Sequence, residues 1–122
     1  MSRTFYLLVA LSVFGSSCVY ENEESLYPRL AECDTVSVTF SGSISPILVD
    51  NCILCHSNEK ADISGSGIRL EGYSNVVIMQ DAIRNSINHN ASYSPMPKDA
   101  PKLKDCQIRQ FEIWVDSGSP DN

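Results

Sequence analysis

The chain has 122 residues, of which 43% are hydrophobic, 8% aromatic and 20% charged, with nine Lys and Arg set against fifteen Asp and Glu for a formal net charge of −6. That length suits one small domain. The acidic balance argues against nucleic acid and against electrostatic docking on anionic lipid, and favours a partner with a basic patch.

The N-terminal segment reads as an export signal. Arg3 supplies a basic start, an apolar stretch runs from Phe5 to Phe14, and Gly15-Ser16-Ser17-Cys18 follows. About ten apolar residues are too few to span a bilayer, which takes about twenty, so residues 1–17 are expected to be a cleaved signal peptide rather than a membrane helix. Cys18 after small residues resembles the lipobox of bacterial lipoproteins, with Gly15 where that motif usually has leucine. Lipidation of Cys18 would place the mature chain on the outer side of a membrane, at the periplasmic or cell surface. Several acyl chains on one terminus make a firm anchor. Residues 18–35, with Glu21, Glu23 and Glu24 ahead of Tyr27-Pro28, are expected to be an acidic tether, and 36–122 the folded domain.

Along the domain, Val36-Ser37-Val38-Thr39-Phe40 alternates like a strand. It has no partner in the sequence and is expected to be an extended lead-in. A first helix is expected over 44–55, with Ser45 as N-cap and Pro46 at the first position. Its last turn carries Cys52-Ile53-Leu54-Cys55-His56. A Cys-x-x-Cys-His run is the attachment signature of a c-type haem: two thiols reach the two vinyl groups of one porphyrin edge, and the adjacent histidine supplies an axial nitrogen. The motif occurs once, so one covalent haem is expected. A zinc site would need a second ligand pair, and a thioredoxin-like motif would need a βαβ context; the sequence offers neither.

A polar loop over 57–67 follows, broken by Gly65 and Gly67. A second helix is expected near 74–88, with Val76, Val77, Met79, Ile83 and Ile87 facing the core. A third is expected near 100–117, with Leu103, Ile108, Phe111, Trp114 and Val115 at three- and four-residue steps and Gly118 as a left-handed stop. The expected fold class is therefore all-α, about three helices with long loops. Five cysteines are present. With Cys18 assigned to lipid and Cys52 and Cys55 to haem, Cys33 and Cys106 remain, and an exported protein is expected to pair them. So thin a core would need haem and disulfide as staples.

CILCH, GIRLEGY over 67–73, SPMPK over 94–98 and a closing helix of the form L-x-x-C-x-I-x-x-x-x-x-W-V-x-x-G together resemble the class I c-type cytochromes, in their small exported bacterial form. The resemblance spans about residues 36–120. It implies a cytochrome c-like fold wrapped around one haem c, with thioethers at Cys52 and Cys55, His56 as proximal iron ligand, and Met96, in its Pro-flanked loop, as distal ligand. His/Met ligation raises the reduction potential. The alternative distal ligand is His89, in the polar stretch before that loop; Met79 reads as core. His56 is expected to donate its other ring N–H to a backbone carbonyl in the 63–67 loop, Trp114 to pack the closing helix onto the first, and Arg69 to be a solvated residue or a propionate partner.

The function so implied is electron transfer, without enzymatic activity, between unidentified redox partner proteins. Two other readings are a haem-based sensor or ligand-binding module with an open sixth position, and a structural haem domain of a larger redox or uptake complex.

Overall fold

The structure, a computed structural model, describes residues 33–122. The signal peptide, Cys18 and most of the tether lie outside the described residues.

The chain enters its first helix through a π-helical turn, Phe40–Ile44. There the Ile44 N–H reaches back five residues to the Thr39 carbonyl (3.2 Å), and Thr39 Oγ1 accepts from the Gly42 N–H (3.0 Å). Helix α1 (Ser45–Asn51) continues directly from it. Ser45 is accordingly not an N-cap: the preceding residue, Ile44, is already helical and makes no side-chain cap. Thr39 does the capping six residues earlier, and Pro46 falls at the junction where the π-turn passes into α1. The chain kinks at Cys52 and resumes as α2 (Ile53–His56); the 44–55 helix is thus three joined pieces.

A single turn, α3 (Ala61–Ser64), interrupts the loop that follows. Helix α4 (Tyr73–Asn88) ends where expected. It closes in a Schellman arrangement, with the His89 N–H to the Ser86 carbonyl (3.2 Å) and the Asn90 N–H to the Asn85 carbonyl (3.0 Å). Helix α5 (Asp105–Asp116) starts five residues later than the apolar spacing suggested, because the segment around Pro101 is not helical. Leu103 nevertheless reaches the core from that extended approach, and the Lys104 N–H donates to Gln107 Oε1 (3.2 Å). At its far end Gly118 has φ +93°, and the Gly118 and Ser119 N–H groups close onto the Val115 and Trp114 carbonyls, a second Schellman stop.

The described residues contain helices and no strand. Their core joins Ile44, Ile47 and Leu48 to Leu70, to Val76, Ile83 and Ile87 of α4, and to Leu103, Ile108, Phe111 and Trp114. Each such aliphatic side chain stabilises by about 1.5–3 kcal/mol on full burial. Val77 and Met79 pack at its margin rather than within it, and Gln80 shares the inner face of α4 by bonding Ser119 Oγ. Trp114 is wholly buried, with ring centroids 5.6 Å from both Phe40 and Phe111, and Phe40 is 5.1 Å from Tyr73.

The last residues lace these elements together. Tyr73 Oη donates to the Ser119 carbonyl (2.8 Å), Trp114 Nε1 to the Pro120 carbonyl (2.9 Å), and the Phe40 N–H to Asn122 Oδ1 (2.8 Å). Arg84 and Asp116 pair at 2.9 Å between α4 and α5.

At the other end, Cys33 and Cys106 are joined in a disulfide, Cα atoms 5.6 Å apart and 73 residues apart in sequence. Gln110 Nε2 donates to the Asp34 carbonyl (2.8 Å). Residues 33–35, read from sequence as the end of the tether, are therefore fastened to α5. Amide donation from Ser37 and Val36 holds the Asp34 carboxyl below its usual pKa.

Candidate functional site around His56

Cys52, Cys55 and His56 stand three and four residues apart, so helical geometry puts them on one face. The kink does not break that register: the Cys55 and His56 N–H groups both return to the Cys52 carbonyl, at 3.1 and 2.9 Å. Both thiols are free and partly buried. Burial pushes the Cys52 thiol from 9.0 up to about 11.

His56 is 9% exposed and is held at two points by the segment 68–70. Its carbonyl accepts from the Leu70 N–H (2.9 Å), and its ring Nδ1 lies 2.9 Å from the Ile68 carbonyl. A carbonyl only accepts, so Nδ1 carries the proton. With Nδ1–H so engaged, Nε2 is the ring nitrogen left to act as an acceptor or ligand, and it makes no hydrogen bond to another described residue. The carbonyl comes from Ile68, one residue past the expected 63–67 loop.

Gly65 makes this enclosure possible. A Cβ built there would stand 2.6 Å from the Cys55 carbonyl oxygen, 2.9 Å from His56 Nδ1 and 3.0 Å from the Ala61 Cα. In sequence Gly65 reads only as a loop breaker. Its φ of −98° is open to any residue, so space rather than conformation requires glycine. Ser64 Oγ adds a bond to the Cys55 carbonyl (3.3 Å), and the Asn58 N–H donates to Glu71 Oε2 (2.8 Å), closing the loop on itself. Arg69 pairs with Asp62 at 2.6 Å on the solvent-exposed surface.

Met96 and Pro97, joined by a cis bond, are half-buried in an otherwise exposed loop. Its N–H donates to the Ser86 carbonyl (3.1 Å), and its own carbonyl lies 3.1 Å from His89 Nε2. The two candidate distal ligands are thus tied to each other at the C-terminal end of α4. The Ser86 and Ile68 carbonyls escaped the sequence reading because a backbone group carries no residue-type signal.

Among the described residues no group of three or more His, Cys, Asp or Glu side chains is placed to hold a metal ion by itself, and no helix is long and apolar enough to cross a membrane. Comparison with models of known families, with curated proteins and with solved structures returns no match.

Proposed function

We propose that the chain is a mono-haem c-type electron carrier of cytochrome c-like fold, exported and held by a lipid on Cys18 at the outer face of a bacterial membrane. The observation that carries the reading is the placement of His56: its Nδ1 is spent on the Ile68 carbonyl and its Nε2 has no partner among the described residues, beside the free Cys55 thiol and one turn from that of Cys52. The donor set fits haem c. Cys52 and Cys55 are available as thioether sites because the other two cysteines of the described residues are paired with each other. A soft thioether from Met96 suits the sixth position of an iron held by imidazole. Bound there, haem would supply a one-electron ferric–ferrous couple.

The protein's own residues set the conditions for that couple. The Ile68 carbonyl fixes the tautomer and orientation of His56 and raises its basicity as a ligand. The thiols would make attachment permanent, so that a small core holds a large cofactor without a deep pocket. Leu54, between them, is 84% exposed and marks an edge open to redox partner proteins. Tethering through Cys18 would raise local concentration, so brief contacts with those partners suffice.

The test is the visible spectrum of protein co-expressed with a cytochrome c maturation system, oxidised and then reduced. Covalent haem with sharp reduced bands and the weak red band of Met-ligated ferric iron is expected. Absence of covalent haem overturns the proposal, and carbon monoxide binding to the reduced protein at neutral pH would replace it with an open-site sensor.

A further inference from the structure

We infer that His89 is a positioning residue for the distal ligand, holding the Met96 backbone by a hydrogen bond rather than binding iron itself; the inference rests on the ligation reading above. Both backbone polar groups of Met96 end on the last turn of α4. Its N–H donates to the Ser86 carbonyl at 3.1 Å, and its carbonyl accepts from His89 Nε2 at 3.1 Å. Because the partner is a carbonyl, His89 Nε2 carries a proton, and in this arrangement that nitrogen has no lone pair to offer a metal.

Two features show that this latch is built by the helix end. His89 occupies the left-handed position of the Schellman stop, φ +60°, ψ +39°, where glycine is the usual occupant. The left-handed turn carries its side chain to Met96, while Asn90 returns through its N–H to the Asn85 carbonyl and through Nδ2 to Asn85 Oδ1 (2.7 Å). The Ser86 carbonyl does double duty, accepting the His89 N–H that ends the helix and the Met96 N–H that begins the loop's return. The stretch between, 90–95, is exposed throughout, and these two bonds tie the loop back to α4 at Met96.

The experiment uses the holoprotein and imidazole as a competitor for the sixth position, read by loss of the red Met band in the ferric form. H89G removes the ring and keeps the left-handed turn; H89N, also at ease there, is too short to reach the carbonyl. N90A breaks the neighbouring Asn85 bond without touching Met96. With one neutral hydrogen bond lost from the Met-bound form, H89G and H89N are expected to bind imidazole about three- to tenfold more tightly than wild type, while N90A stays within about twofold. Unchanged imidazole affinity in H89G and H89N overturns the inference, as does an equal gain in N90A, which would assign the effect to the helix end in general. A wild-type holoprotein lacking the Met band overturns the ligation reading itself, a distinct result because no variant is needed to see it.

Discussion

Replacing Gly65 by alanine separates two opposing effects whose magnitudes the structure sets. At φ −98°, ψ +11° alanine is conformationally acceptable, and a compatible Gly→Ala change ordinarily stabilises by about 0.4–1 kcal/mol through the unfolded chain. Here the added methyl would meet the Cys55 carbonyl at 2.6 Å, His56 Nδ1 at 2.9 Å and the Ala61 Cα at 3.0 Å. Two of those three are backbone atoms that no rotamer change relieves. Overpacking of this kind costs about 1–3 kcal/mol, and forcing the imidazole off the Ile68 carbonyl costs about 0.5–1.5 kcal/mol more. The steric side wins, for a net loss of about 1–4 kcal/mol. For a domain of this size that lowers the melting temperature by on the order of 5–20 °C. Thermal and guanidinium unfolding of the haem-loaded protein measure it, and the spectrum reports any displacement of His56. Gly67 is the comparison: it has φ +78° and only Asp62 Oδ1, at 4.0 Å, near its absent Cβ. G67A should cost about 1–2 kcal/mol through backbone strain alone and leave the spectrum unchanged. A G65A protein as stable as wild type, with an unaltered spectrum, would refute the claim that Gly65 is there for space.

Breaking the crosslink with C33S/C106S should destabilise by about 4 kcal/mol, the chain-entropy value for a loop of this length; a loss under about 1 kcal/mol in urea unfolding would mean the bond constrains little. In haem-free protein whose far-UV circular dichroism matches that of the haem-loaded form, Cys52 should resist iodoacetamide until the pH nears 11. Burial favours its neutral thiol, so its contribution, about 2–3 kcal/mol, is present below pH 9.0 and lost as pH rises through about 11; rapid alkylation of Cys52 at pH 8 in a C55S background would contradict this. Trp114→Ala, which empties the centre of the aromatic cluster, should cost about 3–5 kcal/mol. Tyr73→Phe, which removes only the bond to the Ser119 carbonyl, should cost about 0.5–1.5 kcal/mol. Reversal of that order in denaturant unfolding would show that the C-terminal lacing, not ring packing, dominates there.

Much of the protein is legible in its residue order, for local reasons. The apolar spacing of Val76, Ile83 and Ile87 and of Ile108, Phe111 and Trp114 puts those side chains on one helical face wherever the helix lies. Gly118 stops α5 because only a residue at ease with positive φ suits that turn. Cys52, Cys55 and His56 share a face by spacing alone, and subtracting the other assigned cysteines leaves Cys33 and Cys106, which the fold places together. The tertiary structure decided the rest, because it depends on segments distant in sequence meeting. The π-helical turn that displaces Ser45 from its capping role is tied down by Asn122. The carbonyls that orient His56 and anchor Met96 belong to Ile68 and Ser86, whose side chains say nothing of those bonds. Gly65 is required where the loop folds back onto Cys55, and His89 meets Met96 only after α4 has ended in a left-handed turn. Side-chain pattern governs which face turns inward; which backbone groups then find each other is settled by the packed chain, since every residue carries the same carbonyl and only position distinguishes one from another.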